Sequence, residues 1–65
     1  MANNICGIKD LSKYLDISES EIRKLVRGKM IPYFRLGNRI KFRLTEIEKW
    51  IKQLEENEGK NLLFF

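Results

Sequence analysis

The sequence predicts a small, mostly helical α+β fold with two helices, a two-stranded β-hairpin and a C-terminal helix. Three observations predict it. Apolar residues recur at helical spacing near the start and end of the chain. A segment of period-two alternation, residues 33–42, lies between them, with a Gly-Asn pair at its centre. The chain has 65 residues, 43% of them hydrophobic, which is enough for one domain with a small core.

The first two helices are predicted to be separated by only two or three residues. Ile8, Leu11 and Leu15 share one face of a helix over residues 8–15. Residues 1–7 before it have no such pattern and are predicted to be a polar lead-in. Residues 18–21 (SESE) form a capping box, in which Ser18 accepts from the amide of residue 21 and Glu21 reaches back. A second helix therefore starts just after the turn.

The second helix, over residues 19–27, is predicted to be amphipathic. Its buried stripe is Ile22, Leu25 and Val26. The opposite face carries polar and basic side chains at i, i+3, i+4 and i+7, which are Ser20, Arg23, Lys24 and Arg27. Gly28 fits the position just past the helix end, and Pro32 prevents continuation. A short turn before a capped, outwardly basic helix is the layout of a helix-turn-helix.

The hairpin admits two loop lengths, which place its side chains differently. A two-residue loop at Gly37-Asn38 would match Leu36 with Arg39 and Phe34 with Lys41. A three-residue loop would instead pair Leu36 with Ile40, Phe34 with Phe42 and Arg35 with Lys41. Only the odd loop gives a clean apolar face, so we predict it, with a bulge as the alternative. Arg35 and Lys41 would then hold a phosphate between them.

The third helix is predicted to begin at a second capping box, Thr45 with Glu48, and to run to about Asn57, with Gly59 ending it. Its apolar face is predicted to be buried and consists of Ile47, Trp50, Ile51 and Leu54. Trp50 is predicted to anchor the core rather than to stack on a ligand. The domain is placed at residues 1–59.

Positive charge is concentrated in the middle of the chain. The net charge is +4, from 13 basic and 9 acidic residues. Residues 22–45 contain eight of the basic residues and no acidic one, and the rest of the chain has a net charge of −4. A one-sign segment repels itself, so it indicates a polyanionic partner, most commonly nucleic acid. The alternative is a solvated face that aids solubility.

Composition argues against an enzyme. There is no histidine, the usual general base near neutral pH, and the single cysteine, Cys6, leaves no zinc site of the usual kinds. We therefore expect no catalytic residues, no metal and no cofactor. The chain also has neither a signal-peptide pattern nor an apolar stretch of membrane-spanning length, so a cytoplasmic, nucleoid-associated protein without membrane contact is expected.

Four segments together resemble the excisionase-type DNA-binding domains, small winged helix-turn-helix modules related to the MerR type. They are residues 10–18 (DLSKYLDIS), 22–27 (IRKLVR), 31–42 (IPYFRLGNRIKF) and 46–51 (EIEKWI). The resemblance covers roughly residues 6–54. It implies that the second helix enters the major groove of double-stranded DNA and that the hairpin is a wing against the backbone or minor groove.

The resemblance also implies which residues meet DNA. In the recognition helix they are Ser18, Ser20, Arg23, Lys24 and Arg27. In the wing they are Arg35, Asn38, Arg39 and Lys41, to which the charge pattern adds Arg43. The chain departs from the family at three positions. Gly7 replaces a capping Thr or Ser, Asp16 replaces a small residue, and Lys29 stands where the family's glycine after the recognition helix usually lies.

The tail at residues 60–65 carries four apolar side chains, Leu62, Leu63, Phe64 and Phe65. Three interpretations stay open: packing on the domain's own core, contact with a partner protein, or disorder. No heptad repeat continues past Leu54, so a monomer that assembles on DNA is expected. Three functions follow: an excisionase acting with an integrase or neighbouring copies, a small transcriptional regulator, or an adaptor without DNA binding.

Overall fold

The computed structural model describes residues 4–62, with side chains described for residues 4–58. Its elements, in chain order, are β1 (Ile5–Cys6), α1 (Ile8–Leu15), α2 (Glu19–Arg27), β2 (Phe34–Leu36), β3 (Arg39–Arg43) and α3 (Leu44–Leu62). This is the predicted winged helix-turn-helix architecture, with an additional short strand. No helix in the described part of the chain is long and apolar enough to cross a bilayer.

The core takes side chains from both early helices, the central strand and α3. Its buried members are Leu11, Ile22, Val26, Ile31, Phe42 and Ile47. Trp50 packs against this cluster, and its Nε1 donates to the carbonyl oxygen of Met30 at 2.9 Å. The predicted role of Trp50 as a core anchor is confirmed. This hydrogen bond connects α3 to the segment that follows α2. It therefore helps to fix the position of α2 relative to α3.

The turn between α1 and α2 forms through local interactions, as predicted. Asp16 ends α1 in the left-handed region, with φ 59°, and the Ile17 amide donates to the Ser12 carbonyl at 3.1 Å. Ser18 Oγ accepts from the Glu21 amide at 3.1 Å. This is one of the two hydrogen bonds predicted for the capping box, and it stabilises the start of α2. Both helices have the bounds expected from the sequence.

The end of α2 is a Schellman motif in which the left-handed residue is a lysine. The Lys29 amide donates to the Val26 carbonyl at 3.0 Å, and the Met30 amide to the Leu25 carbonyl at 2.9 Å. Lys29 has φ 54°, whereas Gly28 has φ −83°. The glycine therefore lies one residue before the position that would benefit from it.

Replacing Lys29 by glycine is expected to stabilise the domain. A non-glycine residue in the left-handed region costs about 1–2 kcal/mol, and the added flexibility of a glycine in the unfolded chain offsets part of that gain. We expect Lys29→Gly to raise the free energy of unfolding by about 0.5–1 kcal/mol. Lys52→Gly, in the interior of α3, should lower it by about 1 kcal/mol. Urea unfolding followed by circular dichroism measures both, and a destabilised Lys29→Gly would contradict the cap assignment.

The sheet has three strands in the order β1-β3-β2. Strand β1 pairs with β3 in antiparallel register, Ile5 opposite Arg43 and Cys6 opposite Phe42. The Leu44 amide extends this pairing by donating to the Asn4 carbonyl at 2.7 Å. No strand was predicted within the polar lead-in, so that prediction is incomplete at residues 5–6. A two-residue strand is too short to show alternation in the sequence.

The hairpin has the two-residue loop, so the predicted three-residue loop is wrong. Phe34 lies opposite Lys41, Arg35 opposite Ile40 and Leu36 opposite Arg39. Gly37 has φ 61° and Asn38 does not have a positive φ, the pattern of a type II′ turn with glycine first. This turn closes two strands without an additional residue.

Two interactions compensate for the mixed faces of the hairpin. Tyr33, just before β2, packs against the core together with Ile40, so the core does not need Phe34. The Phe34 ring lies under the Arg43 guanidinium, 5.7 Å from its centroid. Leu36 stays 54% exposed. Arg35 and Lys41 consequently lie on opposite faces of the hairpin, and the predicted pairing of these two cations is wrong.

Helix α3 begins earlier and ends later than predicted. It starts at Leu44 directly after β3, and Thr45 Oγ1 accepts from Asn4 Nδ2 at 3.1 Å instead of capping the helix. The helix continues through Gly59 to Leu62, since one interior glycine costs only about 1 kcal/mol. Leu54, predicted to be buried, is 45% exposed. Residues 63–65 and the Leu62 side chain lie outside the described part, so the tail interpretations stay predictions.

Candidate nucleic-acid interface

The outward face of α2 is polar and basic. Ser20, Arg23, Lys24 and Arg27 are all exposed. Ser20, Lys24 and Arg27 lie opposite the buried stripe of Ile22 and Val26, whereas Arg23 lies toward the flank nearest the hairpin. Ser18, predicted as a contact residue, uses its hydroxyl to cap the helix and lies 3.5 Å from Ser20 Oγ.

Arg23 has an acidic partner within its own helix. Its Nη2 lies 3.4 Å from Glu19 Oε1, and the two side chains are 56% and 42% exposed. An exposed i,i+4 pair of this kind contributes only a few tenths of a kcal/mol, on the order of 0.3–0.5. Arg23 can therefore leave Glu19 for a stronger anion with little loss. Among the described side chains, the other seven bases of residues 22–45 form no ion pair.

The predicted wing residues divide between two faces of the hairpin and its tip. Asn38 is exposed at the turn. Arg35 lies on the face of Ile40, toward α2, whereas Arg39, Lys41 and Arg43 lie on the other face. Arg43 is held over Phe34, and Lys41 is half-buried beside Gly7. The structure thus brings Arg35 near α2 and keeps Arg39, Lys41 and Arg43 apart from it.

A cationic groove lies between α2 and the hairpin. It is open, has a volume of about 400 Å³, and is lined by Arg23, Arg27, Lys29, Arg35, Val26, Tyr33 and Ile40. Four of these seven residues are basic and three are apolar or aromatic. Lys29 was not among the residues predicted to meet DNA. Its left-handed position at the end of α2 brings Lys29 to the groove. In the sequence, the only indication of this contact was a basic residue immediately after Gly28.

In the described part of the chain, two groups have a clearly shifted pKa, Cys6 and Tyr14. Partial burial, and next the Asp10 carboxylate, raise the pKa of Cys6, against the opposing effect of Lys41. Desolvation and the Glu48 carboxylate, which accepts from Tyr14 Oη at 3.3 Å, raise the pKa of Tyr14. Both groups are therefore neutral at pH 7. Among the residues described, no cluster of Cys, Asp and Glu has the form of a metal site.

Residues 5–55 match a family model described as a helix-turn-helix domain. The matched region extends from β1 through α1, α2 and the hairpin into α3, and it covers most of the chain. Neither the curated proteins nor the solved structures include a match. The matched region contains the outward face of α2, the hairpin and the cationic groove between them, so these features belong to the shared domain.

Proposed function

Because the chain belongs to the helix-turn-helix domain family, which indicates DNA binding, we propose that it is a sequence-specific double-stranded DNA-binding protein that acts as an excisionase of a mobile element. The observation that carries the DNA-binding part is the placement of the basic residues. The acid-free segment of residues 22–45 forms the outward face of α2, the hairpin and the groove between them. The outward face of α2 and the groove beside it thus offer one cationic surface to a polyanion, whereas Arg39, Lys41 and Arg43 lie on the other face of the hairpin.

In this proposal, α2 lies in the major groove and the hairpin lies against the flanking backbone or minor groove. Lys24 and Arg27 face outward and reach base edges, where an arginine can pair bidentately with guanine. Contacts from the remaining cations to phosphates supply affinity that depends on salt but not on sequence. The cationic surface also speeds the encounter with DNA.

The size of the domain supports an assembly on DNA. A single module of this kind buries about 600–1,000 Å² on DNA, which gives modest affinity and specificity. Several copies on adjacent sites, or an integrase as partner, would supply the remaining affinity and specificity, because each bound molecule raises the effective concentration of the next. Such an array near an attachment site, which bends the DNA and helps an integrase excise the element, is the action we propose. A cytoplasmic, nucleoid-associated location follows from this role.

DNA binding is tested by fluorescence anisotropy with a labelled mixed-sequence duplex, titrated from 50 to 200 mM NaCl. Each phosphate contact contributes about −0.9 to the slope of log K against log salt. We expect a slope steeper than about −3. A flat or absent signal would favour the third function, an adaptor whose winged helix does not bind DNA, although the acid-free segment of residues 22–45 argues against it.

The excisionase role is tested separately. We expect the protein to stimulate integrase-dependent excision of a plasmid-borne element and to footprint on clustered direct repeats near the attachment site. The second candidate, a small transcriptional regulator, uses the same DNA-binding surface. A footprint confined to a promoter, together with excision that is independent of the protein, would replace the excisionase proposal with that one.

Glu19→Gln is expected to strengthen DNA binding. The substitution frees Arg23 from its ion pair and removes a negative charge beside the proposed interface. An exposed i,i+4 pair is worth about 0.3–0.5 kcal/mol, so the dissociation constant should fall about 2-fold. The control is Glu55→Gln, which removes an exposed acid on α3 and should leave affinity unchanged. Equal affinity of wild type and Glu19→Gln would place Arg23 away from DNA.

A further inference from the structure

We propose that the groove between α2 and the hairpin holds one sugar–phosphate strand of bound DNA, with Lys29 and Arg35 as phosphate contacts. The inference rests on the proposed DNA-binding function and adds a contact site to it. Four cations surround this concave surface of about 400 Å³: Arg23, Arg27, Lys29 and Arg35. These like charges repel each other. A phosphate bound between them would attract each cation and so offset the repulsion.

The apolar part of the groove favours a DNA strand over an isolated anion. Val26, Tyr33 and Ile40 line it between the cations. A free phosphate gains nothing from apolar surface, whereas each phosphate in DNA is flanked by deoxyribose rings with C–H faces. The groove therefore matches the alternation of charge and apolar sugar along a strand.

Lys29 and Arg35 approach the groove from different elements. The two hydrogen bonds of the Schellman motif and the left-handed φ fix the backbone at Lys29 after α2. The two-residue turn puts Arg35 opposite Ile40 and hence on the groove side of the hairpin. Neither exposed side chain has an ion-pair partner among the described residues. A strand lying between helix and wing would be bracketed by these two cations, independently of its base sequence.

The test compares Lys29→Gly, Arg35→Gln and wild type in salt titrations by anisotropy on two duplexes of unrelated sequence. Each variant is expected to flatten the log–log slope by about 0.9, equally on both duplexes. Lys52→Ala removes a cation of α3 outside the groove and should leave the slope unchanged. Lys29→Gly removes backbone strain, so thermal melts should show a fold at least as stable as wild type, and weaker binding cannot then come from unfolding.

The possible outcomes distinguish a failure of the groove assignment from a failure of the DNA-binding proposal on which it rests. A steep wild-type slope, with both groove variants equal to Lys52→Ala, overturns the groove assignment and leaves DNA binding intact. Flattening on only one duplex overturns it too, because the residues would then be reading bases. A flat wild-type titration overturns DNA binding and the groove together.

Discussion

Phe42→Ala is expected to remove a large part or all of the domain's stability at 25 °C. Phe42 is fully buried on the central strand β3, paired with Cys6 of β1 and clustered with Leu11, Ile22 and Ile47. Phenylalanine-to-alanine changes in cores cost about 3–5 kcal/mol. At 0.05–0.15 kcal/mol per residue, a 65-residue domain has only about 3–10 kcal/mol to lose. The cavity thus removes a large part or all of the stability.

Thermal and urea unfolding, followed by circular dichroism, measure this effect. Leu36→Ala is the matched control, because Leu36 is an apolar residue of the same hairpin but is 54% exposed. It should shift stability by no more than about 0.5 kcal/mol. An intact cooperative transition in Phe42→Ala, with a midpoint near that of wild type, would mean that β3 does not carry the core.

The helices were predictable because their signals are local. The bounds of α1 and α2 follow from apolar spacing and from the Ser18 cap, interactions that span no more than four residues. The winged helix-turn-helix class followed from their order with the hairpin. The end of α3 failed for the opposite reason, since the single break signal at Gly59 was weaker than the preference of its neighbours to continue the helix.

The sheet could not be predicted in full because its register depends on tertiary contacts, which a local sequence pattern does not contain. The register depended on Tyr33, a residue outside both strands that fills the space next to Ile40, and on an arginine covering Phe34. Strand β1 exists only because β3 offers a free edge. Periodicity within the hairpin contains none of this information. The cleaner apolar face was therefore the wrong criterion for choosing the loop length.

The candidate interface was predicted as a set of residues but not as a shape. The acid-free segment identified the basic residues of α2 and the wing. The register of the hairpin determined how the wing cations divide between its two faces. It turned Arg35 toward α2 and left Lys41 and Arg39 on the other face. The Schellman motif then added Lys29. Which cations line one groove is therefore a property of the fold, although the net charge is evident from the sequence.

Arg27→Lys is expected to lower sequence preference without changing the salt dependence of binding. Arg27 is exposed on the outward face of α2 and lines the groove. In the proposed docking, a guanidinium at this position reaches a base edge. Lysine keeps the charge but loses the two parallel hydrogen bonds that arginine makes to guanine. Discrimination should fall by about 1–3 kcal/mol, or about 5- to 150-fold in the affinity ratio.

The measurement uses a duplex selected by wild type from a random pool and a scrambled duplex of equal length. Arg27→Lys should bind the scrambled duplex like wild type and lose affinity only for the selected one. Arg27→Ala should lose the same preference and in addition bind the scrambled duplex more weakly, because the charge is gone. If Arg27→Lys keeps the full preference, Arg27 contacts a phosphate, and base reading belongs to other outward residues of α2, Lys24 first.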